Sequence, residues 1–123
     1  MGAITSYRDL LVWQRGVELV VEVYRITGDF PRHEQFGLTG QMRRAACSIP
    51  ANLAEGHARP HSREFRRFIA MAQGSRAELE THVIIAQRLG YLAPEVAGRL
   101  LQEAAELARM MNGLDRSLAV ARS

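Results

Sequence analysis

The sequence contains no lysine: all sixteen of its basic side chains are arginine. It has one cysteine, Cys47, and only four prolines in 123 residues. Each scarcity excludes something. A single thiol cannot form an intrachain disulfide framework, so nothing requires an oxidising compartment and a cytoplasmic location is expected. The most apolar stretch, Leu10 to Ile26, is interrupted by Arg15, Glu18, Glu22 and Arg25, and no basic region followed by an apolar block opens the chain. Neither a membrane span nor a secretory signal is therefore expected. A Gly-rich phosphate loop and a nucleophile elbow are also missing.

What is present has the balance of one ordinary soluble domain, 47% hydrophobic and 24% charged, long enough to bury a core without staples. The sixteen arginines face thirteen acids, leaving a net charge of +3. The pI near 9.7 overstates this, because arginine stays protonated far above neutrality and a small excess lifts the pI without creating a large field. Position matters more. Residues 1–31 carry three arginines and four acids, residues 32–94 nine and five, and residues 95–123 four of each. The whole excess lies in the middle. Biased codon usage could produce an all-arginine set, but not its concentration in one segment.

Four segments have helical periodicity and none alternates like a strand, so the chain is predicted to be all-α. Short connections make consecutive helices neighbours, which points to an antiparallel up-down-up-down four-helix bundle. The helices are expected over about 7–27, 34–58, 63–89 and 94–120, in a single domain spanning residues 1–123. The first opens at Ser6, with Asp9 as its capping-box acid, and stops at Gly28 before Pro31. Leu10, Trp13, Val17, Val20 and Tyr24 form one apolar stripe, and Val12, Leu19, Val23 and Ile26 a second beside it. That arc is roughly twice the 100° a simple bundle helix needs, as expected for a helix buried on two sides in an oligomer.

The second helix carries Leu38, Met42, Ala45, Ile49 and Leu53, with Gly56, His57 and Pro60 around the following turn. Pro50 lies inside it. Proline lacks an N–H and crowds the carbonyl four residues back, so helix 2 is expected to kink there, with Ser48 and Asn52 placed to satisfy freed backbone groups. The third helix follows Ser62 as N-cap and ends at Gly90. Its near-heptad row is Phe65, Phe68, Ala72, Ser75, Leu79, Val83, Ala86 and Leu89. Gly74 and Ser75 at its middle are small enough for close helix approach, a merely tolerated glycine being the alternative. The fourth begins at Pro94 and carries Val96, Leu100, Ala104, Leu107, Met111, Leu114 and Leu118.

Catalytic constellations fail on spacing. Glu78, Glu80 and His82 do not form the Glu-x-x-His pair of a di-iron bundle and have no counterpart elsewhere. His57, His61 and Glu64 resemble zinc-ligand spacing, but Pro60 interrupts any helix that would align them and no fourth ligand is evident. Cys47 lies beside Arg43 and Arg44 without a paired histidine, and reads as a small buried thiol. No enzyme activity, cofactor or metal is expected.

The basic cluster remains. Arg63, Arg66 and Arg67 share one side of helix 3, Arg59 extends the patch from the preceding loop, and Arg43 and Arg44 lie on helix 2. Guanidinium groups bind phosphates bidentately and stack on bases, so such a cluster is the footprint of a nucleic-acid surface. The alternative is a solvated face tied up by Glu55, Glu64 and Glu78. In an antiparallel hairpin turning near Arg59, Arg44 should pass Glu78 and Glu55 should pass Arg63, making some of these arginines structural.

The run Gln41-Met42-Arg43-Arg44-Ala45-Ala46-Cys47-Ser48-Ile49-Pro50-Ala51-Asn52-Leu53-Ala54-Glu55-Gly56 resembles the signature of the 23S ribosomal RNA intervening-sequence proteins. Arg59, Ser62, Glu64, Phe65, Arg67 and Phe68 continue it in order and spacing, followed by Ala72, Gly74, Ser75, Glu78, Leu79 and Glu80, and then Leu89, Gly90 and Tyr91. Leu10, Val12 and Trp13 fit as well, as do Phe30, Pro31 and Glu34, so the similarity spans roughly residues 7–92. The resemblance implies a four-helix bundle assembling as a homopentamer. It also implies kinship with accessory proteins of diversity-generating retroelements, in which a basic pentamer engages nucleic acid and a reverse transcriptase. This chain departs from the family in lacking every lysine, a change that phosphate binding should survive.

The expected function is therefore a non-enzymatic oligomer that binds structured RNA, or DNA, through Arg43, Arg44, Arg59, Arg63, Arg66 and Arg67. Ser48, Pro50, Asn52, Glu55, Gly74, Ser75 and Glu78 act as structural motif residues. The alternative is an oligomeric interaction scaffold, docking a protein such as a reverse transcriptase without contacting nucleic acid itself. Five copies of a +3 chain would carry about +15, turning a weak patch into a multivalent one. Five neutralised phosphates would give a salt slope near −3.5 to −4.5.

Overall fold

The computed structural model describes residues 6–121. It is a four-helix bundle: α1 spans Leu11–Thr27, α2 Leu38–His57, α3 Ser62–Arg88 and α4 Pro94–Ala121. Short 3-10 turns lie at Tyr7–Asp9 and Arg32–Glu34, and no strand occurs among the described residues.

Both turns take residues that periodicity alone assigns to α-helix. Ser6 and Asp9 form the expected capping box, but it closes the first 3-10 turn. Leu10 then adopts extended backbone (φ −74°, ψ 121°) and is buried, so α1 starts one residue later. Ahead of α2, Glu34 caps the helix from outside. Its Oε1 accepts the Leu38 N–H at 3.0 Å, and its Oε2 accepts the Tyr91 hydroxyl at 2.9 Å. These bonds hold the Glu34 carboxyl below the usual carboxylate range, first through Leu38 and then through Tyr91. At the start of α3 the N-cap is His61, not Ser62, which is already helical, and no side chain caps the end. The C-terminus closes as expected. Gly90, at φ 82°, donates to the Gln87 carbonyl and Tyr91 to that of Ala86, the Schellman arrangement that satisfies the last carbonyls.

The largest fully buried side chains are Val23 of α1, Met42, Ile49 and Leu53 of α2, Ile69, Leu79 and Val83 of α3, and Leu100, Leu107 and Met111 of α4. Each stabilises the fold by about 1.5–3 kcal/mol relative to exposure. Every helix thus supplies part of one core. On α3 the real stripe includes Ile69 and His82, whereas Leu89, expected inside, is 54% exposed. On α1 the second apolar stripe goes deepest: Val12, Leu19 and Val23 are buried and Ile26 half-buried, while Trp13, Val17 and Val20 of the first are half-buried. Of the two stripes only Tyr24 is exposed, so the chain's own helices cover most of the wide apolar arc; exposed Leu11 and Val21 lie outside it, beside Gln14, Glu18 and Arg25.

α2 stays helical through Pro50, which is buried and would meet a Cβ at Gly16 at 3.5 Å. Ser48 and Asn52 do not reach the carbonyl that Pro50 deprives of a partner. Instead, Asn52 donates to the Ser48 carbonyl (2.8 Å) and hydroxyl (2.9 Å), and Ser75 donates to that same hydroxyl at 2.8 Å. The trio ties α2 to α3. Closer to the turn, Gly56 belongs to α2 and lies beneath two phenylalanines: an added Cβ would sit 2.7 Å from Phe68 Cβ and 2.8 Å from Phe65 Cδ1. Gly74 is the opposite case. It is exposed, and a Cβ there would meet nothing within 4 Å, so the close approach expected at Gly74 does not occur within the chain.

Candidate nucleic-acid interface

Helices α2 and α3 are joined by only four residues, 58–61. This short link brings Arg59, Arg63, Arg66 and Arg67 to one end of the bundle, where their side chains meet different fates. Arg59 donates to Glu55 one turn back at 3.0 Å and stacks on the Phe68 ring at 4.9 Å. Glu55 is thereby paired with Arg59 rather than with Arg63, correcting the expected cross-helix pair. Arg66 turns toward α4 and grips Asp115 with both arms of its fork, Nε to Oδ1 at 2.9 Å and Nη2 to Oδ2 at 3.3 Å. Bidentate charge-assisted bonding fixes this side chain and raises its already high pKa.

Arg63 and Arg67 are different. Both are exposed, and neither has a protein partner among the described residues. They lie one turn apart, about 6 Å along the axis. With His61, Ser62 and Glu64 they line an open depression of about 610 Å³. A second depression of about 410 Å³ adjoins it, bordered by Arg63, Arg67 and the Arg66–Asp115 pair. Their position follows from the helical period: Phe65 and Ile69 point into the core, which turns residues 63 and 67 outward.

The helix 2 arginines lie elsewhere. Arg44 is exposed and unpartnered, twelve residues before Gly56, so about 18 Å along α2 from the turn. No ion pair joins it to Glu78. The hairpin register does set the two opposite each other, as Ser48 against Ser75 shows, but both side chains point outward. Arg43 is half-buried and bonded to α1. Its Nε donates to Thr27 Oγ1 at 2.9 Å, its Nη2 to the Tyr24 carbonyl at 3.3 Å, and its guanidinium lies 4.5 Å from the Tyr24 ring centroid. Cys47 is half-buried, its sulfur 3.9 Å from the Tyr24 hydroxyl, and that contact raises the Tyr24 pKa.

Among the described residues, three further arginines are exposed and unpartnered and escape the sequence reading: Arg116, next to Asp115 on α4, and Arg32 and Arg88 near the other end of α2 and α3. Segment charge hides Arg116, because residues 95–123 carry four arginines and four acids. In space, Glu103 pairs with Arg15, Glu106 with Arg109 and Asp115 with Arg66. No trio of metal-ligating side chains converges among the described residues. His57 packs edge-on against Phe65 at 5.8 Å instead.

Four packed α-helices with a cationic end place the chain among the all-α four-helix bundle proteins. Within that class, it belongs to the 23S rRNA-intervening sequence protein family, whose model matches residues 8–113. A crystal structure described as a protein with unknown function from the S23 ribosomal protein family of Bacteroides thetaiotaomicron is similar at a TM-score of 0.77. The likeness covers 85% of this chain and 98% of that one at 18% identity, and shows the fold alone. Among curated proteins no sequence matches. No helix among the described residues is long and apolar enough to cross a membrane.

Proposed function

We propose that the chain is a non-enzymatic, homo-oligomeric nucleic-acid-binding protein that takes structured RNA on the end of the bundle carrying Arg63 and Arg67. One observation carries this reading: in a cluster where Arg59 and Arg66 are satisfied internally, Arg63 and Arg67 are left exposed with their guanidinium forks free. Unpaired arginines on a rigid helix suit phosphate contacts without base readout, so binding is electrostatic and weakly sequence-specific. Arg59 and Arg66 shape the surface, Arg44 gives a separate contact, and Arg43 is structural. The family's association with 23S rRNA intervening sequences favours ribosomal RNA as the ligand.

The oligomer in this proposal is the homopentamer that the family resemblance implies, supported by the exposed apolar side chains Leu11, Val21 and Tyr24 on α1. Its subunit is antiparallel, up-down-up-down, with α2 bent at Pro50. Supporting contacts include Gly16 with Pro50 and Tyr24 with Cys47, Gly56 with Phe68, Gln73 with Asn112, and Arg15 with Glu103. A gel-shift salt titration on ribosomal RNA fragments tests the function. Binding should weaken linearly in log–log form, and Arg63→Gln with Arg67→Gln should reduce the slope by about 1.4–1.8 per engaged subunit. Absence of binding at low salt would contradict the reading.

A scaffold reading is favoured by a different observation: the outer face of α3 exposes Met71, Ile84 and Ile85 together with Gly74. In that case the oligomer docks a protein, for example a reverse transcriptase. Pull-down with and without nuclease separates the two, since a scaffold keeps its partner after digestion.

A further inference from the structure

The connection between α1 and α2, at the far end of α2 from Arg63 and Arg67, holds a cavity of about 240 Å³. Arg32 and Arg43 both line it, and no carboxylate does; neighbouring Asp29 is not part of the wall. Arg32 is exposed and has no partner among the described residues. Arg43 is fixed by its bonds to Thr27 and Tyr24, which use only part of its fork and leave the remaining N–H groups free.

Thr39 supplies the second observation. It lines the same cavity and is 5% exposed, yet its hydroxyl has no hydrogen-bond partner among the described residues. Thr27 and Thr81 return their hydroxyls to carbonyls one turn back, Val23 at 2.7 Å and Ala77 at 2.9 Å. Thr39 stands in the first turn of α2, where no helical carbonyl lies one turn back, so its hydroxyl is available to the cavity. Its oxygen keeps access to solvent, so water serves it in the free protein and a ligand oxygen can take that water's place.

We infer that this cavity is a phosphate-binding site. Two guanidinium groups match the double charge of a phosphate monoester, and the Thr39 hydroxyl and Gln35 amide add donors at the wall. Buried Phe30 forms an apolar side that limits competing water. The negative end of α1 lies nearby and opposes an anion, a cost reduced by partners on three of its carbonyls: Tyr24 accepts from Gly28 and Arg43, Ile26 from Asp29, and Thr27 from Phe30. The cavity exceeds what a bare phosphate fills, so the phosphate can carry a small group. Its source is either a free phosphorylated small molecule or the terminal phosphate of a nucleic acid.

The test is a titration of the full chain with inorganic phosphate at constant ionic strength, followed by amide and arginine Nε NMR signals. Saturable shifts should centre on Arg32, Gln35, Thr39 and Arg43. Thr39→Val should weaken binding about tenfold without lowering the melting temperature, because it removes a hydroxyl with no protein partner. Arg32→Gln should weaken binding comparably. Shifts that fail to saturate, that centre elsewhere, or that persist unchanged in Thr39→Val would overturn the site. A 5′-phosphorylated oligoribonucleotide and its 5′-hydroxyl twin separate the sources. Tighter binding of the former at these residues assigns a nucleic-acid end; equal behaviour, with inorganic phosphate still bound, assigns a free phosphorylated molecule. Variants of Arg63 and Arg67 should leave the phosphate shifts intact, so this site and the proposed RNA surface can fail independently.

Discussion

Glu34 and Gly56 show how single residues secure the ends of α2. The Glu34 carboxylate caps the Leu38 N–H and holds Tyr91, and its pKa is depressed as a result. A depressed carboxylate contributes stability that is complete above the ordinary glutamate range and is lost as pH falls through the folded-state value. Glu34→Gln should therefore lower the melting temperature at neutral pH, with the difference from wild type shrinking on acidification; a difference independent of pH would contradict the cap. At the other end, Gly56→Ala would place a methyl 2.7 Å from Phe68 Cβ, a contact that flexible side-chain tips cannot relieve. A loss of about 1–3 kcal/mol is expected in urea denaturation. Among the arginines, exposure alone does not mark a binding residue, since Arg59 is exposed yet held by Glu55 and Phe68.

At the scale of helices, Gly74 mirrors Gly56. Its Cβ space is empty, so Gly74→Ala should gain about 1 kcal/mol from helix propensity alone. A loss instead would mean that a partner molecule packs on the outer face of α3. Elements were largely legible in the sequence because helical periodicity is a local signal: Met42, Ala45, Ile49 and Leu53 are buried as their spacing demands, and Gly90 terminates α3. Starts were less legible. Whether Ser6 opens an α-helix or a 3-10 turn, and whether Glu34 begins α2 or ends the 3-10 turn before it, depends on Leu10 reaching the core and Tyr91 reaching Glu34, which are tertiary facts. The site was legible only in outline. Identifying a free arginine requires every acid within reach, and Asp115, which ties up Arg66, lies 49 residues away in sequence. Arg44 and Glu78 show the complementary failure, a correct register with side chains directed outward.

For the whole molecule, net charge is a poor guide and unpaired charge a better one. Most arginines engage a carboxylate or an aromatic ring, while Arg32, Arg44, Arg63, Arg67, Arg88 and Arg116 stay exposed and unpartnered among the described residues. An oligomer would repeat those groups on one particle and raise affinity through multivalency. It would also cover the exposed Val21 and Tyr24 of α1. Sedimentation should then show a particle near five times 13.8 kDa, about 69 kDa. Val21→Glu, harmless to the subunit because residue 21 is half exposed, should dissociate it.

The most direct test of the central claim is the anisotropy of a labelled ribosomal RNA fragment titrated at low salt with wild-type protein and with the Arg63→Glu, Arg67→Glu double variant. Tight, salt-sensitive binding by the wild type, abolished in a variant of unchanged oligomeric mass, is the predicted result. Equal binding by both proteins would contradict the assignment of RNA to this end of the bundle.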